Sequence, residues 1–143
     1  MYKEDSPKQV IIIRKDLNMR KGKMIAQGAH ASMKVISDMM QQSGVWFSGD
    51  HNDFIKENKL TIVVDSPLDK WLNGIFKKIV VGAENLPEMI TAYNEAKKQG
   101  IPCSLIEDAG LTEFGGQVTI TAAAIGPDLP EKIDKITGNF KLL

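Results

Sequence analysis

The run Arg20-Lys21-Gly22-Lys23 stands immediately before a long amphipathic stretch. At a helix start, exposed backbone N–H groups can receive a phosphate oxygen while basic side chains neutralise the same group. The competing account is a solvent-facing helix start. The run is not a Walker A loop, because Gly22 lacks the upstream glycine spacing and Lys23 is followed by Met24. A second group is Asp108-Ala109-Gly110-Leu111-Thr112, which follows the apolar run Cys103 to Ile106. A carboxylate at the carboxyl end of a strand can orient water or accept its proton, and the Thr112 hydroxyl can hold that water. The same residues equally make an Asp/Gly turn with a local threonine hydrogen bond. Thr119 and Thr121, two apart in a strand, share one sheet face, where they either meet the same cleft or satisfy β propensity. Gly115-Gly116 reads as a flexible turn rather than a phosphate cradle. His30 can serve as base, phosphate ligand or surface hydrogen-bonding group. His51 and the single Cys103 do not combine with it at zinc-ligand spacing, so no metal and no cofactor are expected.

These groups need elements to hold them. Val10-Ile11-Ile12-Ile13 is a β-branched run suited to a strand buried on both faces, predicted over Gln9 to Arg14. Lys23 to Gln41 has helical periodicity. Ile25, Gly28 or Ala29, Ser32, Ile36 and Met39 or Met40 form the expected inward stripe; Lys23, Gln27, His30 and Lys34 form a polar face opposite. Ser43 to Glu57 reads as a loop with a short helix, and Leu60 to Val64 as a possible strand or edge insertion. Trp71, Leu72 and Ile75 should pack a short helix or turn ahead of a strand at Lys78 to Val81. Asn85, Pro87 and Glu88 are the cap, first-turn proline and capping-box acid of a helix ending at Gly100, with Leu86, Met89, Ile90, Tyr93 and Ala96 inward. Strands follow at Cys103 to Ile106 and Thr119 to Ile125. Asp128, Pro130 and Glu131 then repeat the capping pattern before a helix reaching about Lys135. Compact β-branched runs alternating with helices predict an α/β sandwich rather than a bundle.

The 143 residues suit one domain, and 43% hydrophobic with 25% charged residues exclude a disordered or collagen-like chain. One cysteine excludes an intramolecular disulfide. Formal net charge is zero, yet residues 1 to 34 carry eight basic groups against three acidic ones, an excess that can steer a polyanion to one face. No apolar segment is long enough for a secretory leader or a membrane span, so a cytoplasmic location is expected.

The ordered blocks resemble a known family. They comprise Val10 to Leu17, Met19 to Lys23, Ala26-Gln27, Ala29-His30-Ala31, Trp71, Gly74 and Lys77 to Val81. Asp108 to Thr112, Thr119-Ile120-Thr121, Ala124 to Pro127, Ile133 to Gly138 and Lys141-Leu142 continue them. Together they are similar to the second, archaeal and eukaryotic-type class of peptidyl-tRNA hydrolases, which also has bacterial relatives. That resemblance implies a compact three-layer α/β sandwich with a four-stranded mixed sheet flanked by helices, a homodimer, and hydrolysis of the ester joining peptide to the tRNA 3′ end. It implies Lys23, Asp108, Thr112 and Thr121 as catalytic residues. Lys15, Arg20, Lys21, Gln27 and His30 are the expected contacts to peptidyl-tRNA. Because a lysine ordinarily keeps its proton at neutral pH, Lys23 is expected to stabilise negative charge rather than act as a base. Two positions depart from the pattern: Leu111 stands where a basic residue is common, and residues 42–69 look like an insertion within the single domain. A noncatalytic tRNA or protein interaction module of the same fold is the alternative that those departures raise.

Overall fold

The computed structural model describes residues 5–47, 53–111 and 113–143. Its elements are, in order, β1 (Lys8–Arg14), α1 (Lys21–Met39), β2 (Gln41–Phe47), β3 (Asp53–Lys59), α2 (Pro67–Leu72), β4 (Lys78–Ala83), α3 (Leu86–Lys98), β5 (Cys103–Asp108), β6 (Thr119–Asp128), α4 (Pro130–Thr137) and β7 (Lys141–Leu142). The main sheet has the order β5-β6-β1-β4-β7. Strand β4 runs parallel to β1 and the remaining pairs are antiparallel. Five strands replace the expected four, because β7 is a dipeptide too short to display a period-two pattern.

The β-branched run of β1 is buried on both faces, as expected for the middle strand. Val10 and Ile12 join Val81, Met89 and Ile133 under α3 and α4, while Ile11 and Ile13 join Ala31, Val35, Ala122 and Ala124 under α1. Helices thus flank a mixed sheet. Helix α3 begins as its sequence indicates, with Asn85 Oδ1 accepting from Glu88 N at 3.0 Å. Glu88 returns a carboxylate to Glu84 N at 2.9 Å, one residue earlier than a reciprocal box requires. The α4 start differs from its expected capping: Leu129 is the N-cap without a side-chain bond, and Asp128 accepts from Leu129 N instead. Trp71 is buried in α2, and its indole N–H donates to Lys77 O at 2.8 Å.

Three other expectations are corrected. Ser43 to Phe47 and Asp53 to Glu57 belong to strands rather than to a loop with a short helix; β2 and β3 pair with each other, Gln41 opposite Lys59, and with no strand of the main sheet. Leu60 to Val64 is not a strand, since the chain there joins no sheet and turns with Ser66 N on Val63 O. On α1 the buried side is Gln27, Gly28, Ala31, Ser32, Val35 and Ile36, whereas Ile25 is 72% exposed. Gly28 faces β1, where a Cβ would be in ordinary contact with Ile11 Cγ2 at 3.5 Å. The helix consequently turns Gln27, expected on the polar face, into the protein.

Candidate active site

The first two turns of α1 lie against the carboxyl end of β5. Lys23 Nζ is 2.8 Å from Asp108 Oδ1 although 85 residues separate the two, and both side chains are only 14% exposed. Gln27 Nε2 donates to the same oxygen at 3.3 Å, and Gly110 N donates to Oδ2 at 2.9 Å. Gly110 has a positive φ of 78°, and a Cβ would meet Gln117 O at 2.2 Å; a side chain there would break open the turn that delivers its N–H.

Thr121 enters this group through an irregularity in β6. Ala122 lies opposite Ile106 and Ile120 opposite Glu107, so Thr121 is an additional residue with no partner of its own. A bulge of this kind re-aims a side chain. Fully buried Thr121 donates its hydroxyl to Gln27 Oε1, leaving the Gln27 amide nitrogen to face Asp108. The result is a chain of donors, Thr121 to Gln27 to Asp108, with Lys23 alongside. Arg14 steadies the same end of β6: its Nη1 donates to Ile120 O at 2.9 Å, while Nε and Nη2 grip Asp16 at 3.1 and 2.7 Å. Sequence inspection passed over Arg14, whose spacing of two from Asp16 is the only local sign of that fork.

The electrostatics follow from these contacts. The hydrogen bond from Lys23 holds the Asp108 carboxyl below its ordinary value of 3.8; desolvation opposes this, and the Gly110 N–H, the Lys23 charge and Gln27 reinforce it. Asp108 is therefore a carboxylate at neutral pH and a weak base, suited to accept a hydrogen bond from water and fix its direction. Beside it Lys23 provides a positive charge in a mostly enclosed setting, where such a charge acts strongly on a developing oxyanion.

The remaining expected residues are distributed differently. Thr112 and His51 lie outside the described residues. Arg20 and Lys21 are exposed at the start of α1, which has no side-chain cap and no acid in its first turn. His30 is exposed on α1, beyond the buried Gln27. Lys15 pairs with Glu84 at 3.0 Å rather than joining the Asp108 group. Thr119 Oγ1 donates to Gln117 O, outside the Thr121 chain. Leu111 is 87% exposed. Cys103 is half-buried, and burial raises its thiol above the usual value. Among the described residues no three His, Cys, Asp or Glu side chains converge as a metal site, and no helix is long and apolar enough to cross a membrane.

Comparison with known proteins places the whole chain in one family. The family described as Peptidyl-tRNA hydrolase PTH2 matches residues 7–143. A peptidyl-tRNA hydrolase of Methanocaldococcus jannaschii is 41% identical over 136 residues, covering 95% of this chain and 99% of that protein. One of Thermococcus sibiricus is 40% identical over 136 residues, covering 95% and 97%. One of Staphylothermus marinus is 36% identical over 143 residues, covering all of both chains. The chain belongs to the PTH2 family of peptidyl-tRNA hydrolases.

Proposed function

We propose that this peptidyl-tRNA hydrolase cleaves the ester between peptide and tRNA with Lys23 and Asp108 as its central pair. The observation that supports the assignment is their 2.8 Å contact, made between two side chains each 14% exposed. Water attacks the ester carbonyl carbon. Asp108 orients that water, and Lys23 stabilises the negative charge that gathers on the carbonyl oxygen or the neighbouring phosphate. As the tetrahedral intermediate collapses, the bond to the ribose oxygen breaks and that oxygen is protonated, releasing peptide acid and tRNA. Gln27 and Thr121 act one step back: Thr121 fixes the Gln27 amide, and Gln27 fixes the carboxylate. Gln27 then serves as a positioning residue rather than the substrate contact its sequence position suggested. Thr112 would complete the hydrogen-bond network around the water.

Substrate phosphates meet the start of α1. A helix start usually favours acidic side chains, yet this one has Arg20, Lys21 and Lys23 and no acid in its first turn. Arg20 and Lys21 contact the tRNA backbone, and His30 and Lys15 lie on the approach. A homodimer working in the cytoplasm, and a β2–β3 hairpin inserted into the family fold, belong to the same proposal.

The deciding experiment is multiple-turnover cleavage of N-acylated aminoacyl-tRNA, with unacylated aminoacyl-tRNA as specificity control. Hydrolysis confined to the N-acylated ester, lost in Asp108→Asn while tRNA binding is kept, is the expected result. Binding of tRNA by folded wild type without cleavage would instead establish an interaction module.

A further inference from the structure

The loop between β5 and β6 is tied to the catalytic carboxylate at its root. Gly110 N holds Asp108, Gly116 N donates to Gly110 O at 2.8 Å, and Gln117 N donates to Phe114 O at 3.1 Å. These bonds close the backbone of the loop into a neck beside Asp108. Beside the exposed polar Glu113 and Gln117, this segment carries large apolar side chains at the rim of a charged site. Leu111 is 87% and Val118 68% exposed, while Phe114 packs on the apolar cluster beneath α1 and remains partly open to solvent. Lys23 Nζ lies 5.7 Å from the centre of the Phe114 ring, so the same ammonium faces both Asp108 and the ring.

This arrangement bears on a part of the substrate that the proposed chemistry leaves unassigned. The ester is carried on the ribose of the 3′-terminal nucleotide, so a nucleobase sits within one sugar of the reacting carbon. Its flat apolar face gains by stacking on an aromatic ring, and an aromatic platform tolerates any base identity. We infer that Phe114 is the platform on which the base of the 3′-terminal nucleotide stacks, with Leu111 and Val118 as its apolar flanks. The inference rests on the peptidyl-tRNA hydrolase reading and extends it from the ester to the adjoining nucleotide. Stacking there adds binding energy at the nucleotide that carries the ester, beside Lys23.

The test compares two substrates on two proteins: N-acyl-aminoacyl-tRNA with its terminal base, and the same molecule made abasic at that nucleotide, on wild type and Phe114→Leu. Loss of one stacked base corresponds to roughly a 5- to 150-fold weakening. Removing the base should therefore raise the wild-type KM by about tenfold or more, with kcat little changed. Phe114→Leu should raise KM on the intact substrate by a similar factor and add nothing on the abasic one, and Phe114→Trp should restore it. Equal wild-type KM values for the two substrates would overturn the platform. So would a Phe114→Leu loss of the same size on both, which is the signature of packing alone. If Phe114→Leu fails to fold, the wild-type comparison of the two substrates decides. Cleavage of neither substrate by folded wild type would overturn the hydrolase reading and the platform together, whereas cleavage of both with equal KM would overturn the platform alone.

Discussion

The two faces of the main sheet are built from different materials. Under α3 and α4 the buried contacts include Val10, Ile12, Val81, Met89, Ile125 and Ile133, and the buried polar residue of α4, Thr137, donates its hydroxyl to Ile133 O within the same helix. Under α1, Ile11, Ile13, Ala31 and Val35 share the space with buried Gln9, Gln27, Ser32, Ser104 and Thr121. Each of those polar groups has a partner: Ser32 donates to Gln9 Oε1, Gln9 Nε2 to Gly126 O, and Ser104 to Ala31 O. A buried hydrogen bond contributes little net stability but is costly to leave unmade. The α3/α4 face is thus adaptable to any apolar set of the right volume, and the α1 face is not. The lesson is that the proposed Lys23–Asp108 pair is held by the face with the more demanding hydrogen bonding, with the predominantly apolar face on the reverse of the sheet.

The comparison breaks most directly at Asp108. Asp108→Asn keeps the shape but removes the charge that Lys23, Gln27 and Gly110 converge on, and kcat should fall by about 10²- to 10⁴-fold. Thermal stability at neutral pH should fall as well, because the ionised Asp108 contributes to folding, whereas tRNA affinity should change little; a stability loss without a kinetic one would erase the distinction between the faces. The opposite probe is Met89→Ala on the α3/α4 face. Truncating this fully buried side chain should cost about 2–5 kcal/mol in denaturant unfolding while leaving the kcat/KM of the folded fraction unchanged.

Thr121→Val sharpens the same contrast, because it preserves volume and deletes only the hydroxyl. Gln27 Oε1 would lose its donor inside the protein, at a cost of about 1–3 kcal/mol. With its amide free to turn, Gln27 no longer orients Asp108, and kcat should drop by about tenfold at unchanged KM. A valine variant with normal turnover would show that the Thr121 to Gln27 link is packing only.

What the sequence disclosed divides along the same line. Local signals were legible: the β1 run, the Asn85 cap and Gly100 stop of α3, and the strand before Asp108. Each depends on residues within one turn or one strand. That Lys23 and Asp108 belong to one site is an expectation of the family resemblance alone, and their direct contact is not foreseen, since nothing local connects residues 85 apart. Thr121 was marked, but its bulge was not, because an additional residue in one strand appears only once the register against β5 is known. Gln27 was placed on the wrong side of α1 because Ile25 looked like the inward residue. Packing of Gly28, Ala31 and Val35 on the sheet sets the helix orientation, and that is a tertiary effect. The β2–β3 hairpin escaped because Gln41-Gln42-Ser43-Gly44 carries no apolar alternation.

A smaller effect concerns protonation. Asp108 has a folded-state pKa below the unfolded value near 3.8, so it contributes stability that is complete above the unfolded value and lost as pH falls through the folded one. Lys23→Met removes the largest cause of that lowering. Carboxyl titration by NMR should find Asp108 shifted upward in the variant, and acid unfolding should show less stability lost across that window. An unmoved titration would mean that Gly110 and Gln27 suffice to hold the carboxylate.

The smallest effect is expected at the hairpin, whose strands pair with no strand of the main sheet. Gln41 and Lys59 are ladder partners, so the chain leaves and returns at neighbouring positions one strand spacing apart. Residues 42–58 can therefore be replaced by a short glycine-containing turn without stretching the connection to α2, whose Trp71 stays buried. Away from core and site, such a change should alter stability by about 0.5 kcal/mol or less and kcat/KM by no more than about twofold. A loss of tenfold in kcat/KM with unchanged stability would instead mean that the hairpin reaches the tRNA. The α1 face would then hold only part of the substrate, and the division of labour between the two faces would need a third surface.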